Sequence, residues 1–72
     1  MKLSQIEVGQ TVKVKSIQTS KQTTERLNNI GLTNGVSVML VRKAPFGDPI
    51  QIKLRNFYLA IRICDADKIM VE

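Results

Sequence analysis

The sequence predicts a mainly β protein: a small SH3-like barrel of five strands, with one short α-helix inserted after the first strand. Apolar and polar residues alternate in several short segments, which is typical of half-buried strands. The links between these segments have hairpin length, and 72 residues suffice for one domain, residues 1–72. A flat sheet would expose edges that few charges protect, so we expect a closed or nearly closed barrel. An OB-fold is the main alternative.

Composition limits the function. The chain has a net charge of +5, no histidine and one cysteine. Zinc and haem sites need histidine or several cysteines, and a disulfide needs two cysteines, so we expect no such site, no disulfide and no cofactor. Because the chain also has no histidine to act as a base, we expect no enzyme. The longest run of hydrophobic residues, Phe57 to Ile61, is far shorter than the ~20 residues of a membrane span. The start shows no signal peptide, and a lone cysteine fits a reducing compartment, so we expect a cytoplasmic protein.

The first half of the chain supplies one strand and the helix. Thr11–Lys15 alternates valine with polar residues, which predicts the first strand. Leu27 and Ile30 lie three residues apart, as on one face of a helix, and Ser20 or Thr23 is the expected N-cap. A glycine follows Ile30 directly and is expected to end the helix in the left-handed conformation, with the next leucine folding back onto it.

The second half supplies the remaining strands, separated by turn residues. Asn-Gly and Arg-Asn pairs predict tight turns, and two prolines bracket a loop over residues 44–48. One helical turn, capped by an aspartate, is expected before the last strand. The predicted strands are Val36–Arg42, Ile50–Leu54, Tyr58–Ile63 and Ile69–Val71.

Two segments that resemble ligand sites are predicted to be structural. Asp65 and Asp67 diverge on a helical turn, and with Cys64 they do not make up the oxygen-rich set that hard cations need. The segment Gly31–Gly35 has two glycines but no lysine, and it follows a helix instead of preceding one. We therefore expect no metal site and no phosphate site.

The most suggestive surface is an outer strip on two neighbouring strands. If strand alternation holds, Met39 and Val41 point away from the core, opposite Lys53 and Gln51, and Arg55 continues the same face. Mixed apolar and basic strips, especially with Met and Arg, are typical of protein interfaces. The alternative is that the helix covers this face and makes it a second layer of core.

Two further positions are candidate contacts. Phe46 lies in the loop between the prolines, where an aromatic side chain needs a partner or a place in the core, although the loop could simply be an ordered hairpin connection in which Asp48 bonds local backbone. Arg26, beside Leu27 on the helix, could contact a partner or form a surface ion pair. The predicted partner-binding residues are Arg26, Leu27, Met39, Val41, Phe46, Lys53 and Arg55.

Nucleic-acid binding is the alternative function for a small basic barrel. Such barrels combine a basic groove with aromatic stacking platforms. This chain has three aromatic residues, and the neighbours Phe57 and Tyr58 cannot both face one surface of a strand. The cations are also spread along the chain rather than grouped in a basic arm. We therefore expect no nucleic-acid partner.

Glycines, prolines and apolar residues follow one another along the whole chain in a distinctive order. The positions that form this pattern are Leu3, Gly9, Val12, Val14, Arg26, Leu27, Ile30, Gly31, Leu32, Gly35, Pro45, Gly47, Asp48, Pro49, Ala60, Ile61, Arg62, Ala66, Ile69, Met70 and Val71. In this pattern the chain resembles the FeoA family, the small cytoplasmic component of bacterial ferrous iron uptake. The C-terminal barrel of iron-dependent repressors shares much of the pattern, and that relationship is a second alternative.

The resemblance implies an SH3-like barrel and a regulatory partner of FeoB, a membrane ferrous-iron transporter with a cytosolic GTPase domain. Other small Feo components are further possible partners. The expected location is the cytoplasm, at the inner face of the inner membrane when bound, with membrane contact only through the partner.

Overall fold

The computed structural model describes residues 1–72 and contains five strands and two helices. A 3-10 turn at Leu3–Gln5 precedes the first strand. The strands and helices follow in this order: β1 Thr11–Ile17, α1 Lys21–Asn29, β2 Ser37–Lys43, β3 Ile50–Leu54, β4 Phe57–Ile61, α2 Ile63–Ala66 and β5 Ile69–Val71.

The strands form one antiparallel sheet in the order β4-β3-β2-β1-β5. This confirms the predicted mainly β class with one helix inserted after the first strand. The stronger form of the prediction, a fully closed barrel, is wrong, because β4 and β5 do not pair and the sheet keeps two edges. The N-terminal residues and α1 instead lie beside the two edge strands.

The core consists of fifteen buried residues, and all of them are hydrophobic. Four strands, β1, β2, β3 and β5, bury alternate residues, as the sequence pattern predicts; β3, for example, buries Ile50, Ile52 and Leu54. Strand β4 buries only Ile61, with Leu59 half-buried. The 3-10 turn adds Leu3, which has no exposed surface. None of the helices combines the length and apolar character of a membrane-spanning segment.

Helix α1 begins and ends as the sequence predicts. The Ser20 hydroxyl accepts a hydrogen bond from the Thr23 N–H at 3.2 Å, which is the N-cap geometry. At the other end, Gly31 has a φ of +103°, its N–H donates to the Asn28 carbonyl, and the Leu32 N–H donates to the Leu27 carbonyl. These paired bonds, with the buried Leu32 folded back toward Leu27, form a Schellman motif.

The segment after β4 differs from the prediction. Strand β4 ends at Ile61, and Ile63, expected as its last inward residue, begins α2 instead. Asp65, the expected cap of the helical turn, lies inside α2, and the N-cap position is occupied by Arg62. A carboxylate does accept from the first N–H of α2, but it comes from Asp48, fifteen residues earlier in the chain.

Candidate functional site

Met39, at the centre of the outer strip, lies on the sheet face opposite the core. It sits between Thr11 of β1 and Lys53 of β3, and the pairing with Lys53 is the predicted one. Met39 and Val41 are half-buried, yet neither belongs to the core nor to the partly buried residues packed against it. The alternative of a second core layer beneath α1 is therefore wrong, because the buried side chain of α1, Leu27, joins the main core.

The register of the outer strip changes at Val41. We expected Val41 opposite Gln51, but a β-bulge between Leu40 and Arg42 makes Arg42 the partner of Gln51. Val41 is thus the additional residue of a locally bent strand. The bulge brings the exposed guanidinium of Arg42 to the strip, next to its apolar residues.

Phe46 occupies the tip of the loop between β2 and β3 and is 98% exposed. The loop is ordered at its base, where the Ala44 N–H donates to the Pro49 carbonyl at 3.0 Å. The Asp48 carboxylate, predicted to bond local backbone, instead accepts the Ile63 N–H at 2.9 Å. An aromatic ring is therefore presented to solvent from a loop that is attached to the rest of the domain.

Arg55 lies in the two-residue turn between β3 and β4, with an exposed side chain. Its φ of +56° is the only positive value among the non-glycine residues. The left-handed region costs an L-residue with a Cβ about 1 kcal/mol or more. The turn itself is confirmed, and it places this cation at one end of β4.

Arg26 and Leu27 line a groove between α1 and β4, separate from the outer strip. The groove has a volume of about 670 Å³. Ile30 forms part of the helical wall and is 41% exposed, whereas Leu59 and Ala60 lie on the strand wall. Leu27 contributes to both the groove and the core, because it is 9% exposed.

The strand wall of this groove is an open sheet edge. Strand β4 pairs only with β3, and no backbone hydrogen bond outside that pairing reaches Tyr58 or Ala60. Because a two-residue turn joins Leu54 to Phe57, that closing pair is hydrogen-bonded and the pairs then alternate along the hairpin. The N–H and C=O groups of Tyr58 and Ala60 consequently point away from β3, toward solvent beside α1.

The acidic and sulfur-containing side chains of the molecule do not form a metal-binding cluster. No three His, Cys, Asp or Glu side chains lie close enough together to hold a metal ion, and Cys64 is an exposed, free thiol. No buried side-chain nitrogen or oxygen lacks a hydrogen-bond partner. The surface features that remain are apolar and basic, which is the chemistry of protein recognition.

The predicted contact residues thus fall into four separate places. The outer strip holds Met39, Val41 and Lys53, Phe46 is at the loop tip, Arg55 is in the turn between β3 and β4, and Arg26 and Leu27 are in the groove. Sequence reasoning missed the strand side of the groove, including Leu59 and Arg62. One sequence signal could have indicated this surface. The adjacent aromatic residues Phe57 and Tyr58 lie on a strand that is not followed by a second hairpin, so one side of that strand has no neighbouring strand.

Comparison with known proteins gives a consistent result. The family model described as "FeoA domain" matches residues 1–72. The FeoA protein of Chlorobium tepidum is 33% identical, with a TM-score of 0.96 over 100% of this chain and 69% of that one. The FeoA of Stenotrophomonas maltophilia, a zinc complex described as an SH3 domain protein, is 28% identical, with a TM-score of 0.85 over 100% of this chain and 89% of that one. No match was found among curated proteins.

A likeness in fold alone extends to a manganese-dependent transcriptional repressor. The identity is 18% and the TM-score 0.88, over 100% of this chain and 35% of the repressor chain. At this identity only the fold is shared. The SH3-like class predicted from sequence is confirmed by the family structures, and the repressor relationship is a distant one.

Proposed function

The chain belongs to the FeoA family and has its role in ferrous iron transport, and we propose that it acts there as a cytoplasmic regulatory protein that binds the transporter FeoB. The contact is between proteins, and the chain reaches the inner face of the membrane only through FeoB. In this proposal the chain is an accessory component and not an enzyme.

The observation that supports this proposal most is the exposure of Phe46. An aromatic side chain that is 98% exposed loses the favourable burial of its ring unless another molecule covers it. Because Asp48 attaches the loop to α2, little additional ordering would be needed on binding. Aromatic residues on ordered loops are frequent energetic centres of protein interfaces.

The outer strip provides a second contact area in the same proposal. Met39 has an apolar, flexible side chain that adapts to a partner surface, and Lys53 beside it provides a cation for acidic residues of the partner. Arg55 and the groove residues Arg26 and Leu27 complete the proposed set. Other small Feo components are possible additional partners at these surfaces.

The test measures association of the purified protein with membranes that contain FeoB, with and without GTP. Phe46→Ala should weaken binding about 30-fold, since an aromatic centre contributes about 2 kcal/mol or more. Thr33→Ala, an exposed change near the opposite end of β2, is the matched control and should bind like the unmodified protein. Absence of association in both nucleotide states would contradict the proposal.

A second variant separates the outer strip from the core. Met39→Asp should abolish binding while leaving the thermal unfolding curve nearly unchanged, because Met39 lies outside the core. If this variant unfolds instead, the strip has a structural role and is not a contact surface. Circular dichroism melting, run beside the membrane assay, distinguishes the two outcomes.

A further inference from the structure

The groove between α1 and β4 combines three properties that suit the binding of an extended chain. It has an unpaired strand edge, where the N–H and C=O groups of Tyr58 and Ala60 face solvent. It has a mixed lining, in which Ile30 and Leu59 provide apolar contacts beside polar side chains such as Thr23 and Asn29. It has a guanidinium on each side, from Arg26 on the helix and Arg62 beyond the strand.

We propose that this groove binds an extended acidic segment of a partner protein, which adds to β4 as a sixth, antiparallel or parallel strand. Main-chain hydrogen bonds from the segment would satisfy the free groups of β4, as in other cases of strand addition. Alternate side chains of the segment would point into the groove, and the others would point to the outer face of the sheet. The inference goes beyond the FeoB proposal, with which it shares only Arg26 and Leu27, because it concerns the open edge of β4 and a defined peptide chemistry.

The size of the groove fits a short extended segment. From Tyr58 to Arg62 the edge offers five residues, which at ~3.3 Å each span about 16 Å. Helix α1 runs for nine residues, or about 14 Å at ~1.5 Å each, and so forms a wall of similar length. A segment of about five residues would occupy the edge, which is typical for strand addition.

Charge selects the occupant. The groove is lined by two arginines against one acidic residue, Asp65, within a chain whose net charge is +5. An acidic segment would place carboxylates near Arg26 and Arg62, where bidentate hydrogen bonds are available. A second copy of this chain, paired edge to edge, would instead bring four arginines together, which is unfavourable.

The test uses two short synthetic peptides, one of alternating valine and glutamate and one of alternating valine and lysine. Titration into the ¹⁵N-labelled protein should give saturable shifts of the Tyr58, Ala60 and Arg62 amides with the glutamate peptide. The lysine peptide should bind at least ten-fold more weakly. Equal binding of both peptides, shifts that concentrate elsewhere, or no saturable binding of the glutamate peptide would contradict the proposal.

Two controls separate strand addition from simple charge attraction. A glutamate peptide with N-methyl groups on alternate amides keeps its charge but loses edge hydrogen bonds, and it should bind at least ten-fold more weakly in one of its two methylation registers. If both registers bind like the unmodified peptide, strand addition is wrong. The charge variant Arg26→Glu/Arg62→Glu should reverse the preference toward the lysine peptide.

The matched variant Lys13→Glu/Lys68→Glu changes the net charge equally, at exposed positions outside the groove. It should keep the preference for the glutamate peptide. If both double variants lose that preference equally, overall charge and not the groove determines binding. If the free protein forms a concentration-dependent dimer with protected Tyr58 and Ala60 amides, a second copy is the occupant and the proposal is wrong.

Discussion

The two edge strands of the sheet, β5 and β4, have different surroundings. At β5 the chain covers its own edge: the Val71 N–H donates to the Met1 carbonyl at 2.7 Å, and Lys2 forms a bridge with Met70. The Ser4 hydroxyl donates to Asp67 and attaches the same segment to the end of α2. At β4 no segment pairs, and α1 lies across a groove instead.

The β5 edge is thus part of the folded structure, whereas the β4 edge is free to pair with another chain. Exposed edges invite pairing with other chains, so proteins usually cover or shorten them. The covered β5 edge rests on Leu3, which is fully buried, whereas β4 exposes 39% of Phe57 and 57% of Tyr58. An edge that remains open beside apolar side chains and arginines is suited to a partner and contributes less to stability.

The largest expected effect is on stability at the covered edge. Leu3→Ala should lower the free energy of unfolding by about 3 kcal/mol, because it leaves a cavity under the N-terminal segment. Ile30→Ala in the groove is the matched change and should cost less than about 1 kcal/mol, since that side chain is 41% exposed. Urea unfolding of both variants measures the difference. Equal losses would mean that the groove is part of the core.

A smaller effect on stability is expected where the Phe46 loop meets the start of α2. Asp48→Ala removes the acceptor of the Ile63 N–H and should cost about 1 kcal/mol. Asp48→Asn keeps an acceptor oxygen and should cost less. The same unfolding assay, together with faster hydrogen exchange of the Ile63 amide in the alanine variant, checks this contact. An unchanged exchange rate at Ile63 would show that the bond contributes nothing.

The smallest effect is expected at the turn that leads into the open edge. Arg55 adopts a left-handed backbone conformation that costs a residue with a Cβ about 1 kcal/mol or more, and Arg55→Gly removes this cost. The greater backbone entropy of glycine in the unfolded state offsets part of that gain. We expect a net stabilisation of about 0.5 kcal/mol, measured by thermal unfolding. Arg55→Ala retains the Cβ and should give no gain. A destabilised glycine variant would mean that the Arg55 side chain supports the turn.

Much of the fold was predictable because it depends on local chemistry. The Ser20 cap, the Gly31 helix end and the alternating strands each follow from neighbouring residues, and each is present. The bulge at Val41 was not predictable, because strand alternation alone does not reveal where an extra residue is inserted. The hydrogen bond between Asp48 and Ile63 was also not predictable, because it joins two segments that only the tertiary fold brings together.

The candidate surfaces also differ in how well the sequence predicts them. Met39 and Lys53 were predicted as neighbours because they follow from strand register alone. The groove was missed because it exists only where the sheet fails to close, so that Leu59 and Arg62 come to face the helix. The sequence signals that favoured a closed barrel, short strands and short links, are equally compatible with one open edge.

Amide hydrogen exchange of the free protein, followed residue by residue by NMR, tests the difference between the edges most directly. We expect a strongly protected Val71 amide, whose partner is the Met1 carbonyl, and fast exchange at Tyr58 and Ala60. The amides of Leu59 and Ile61, which face β3, should be protected and serve as internal controls. Protection of Tyr58 and Ala60 equal to that of Val71 would contradict the claim that the β4 edge is open.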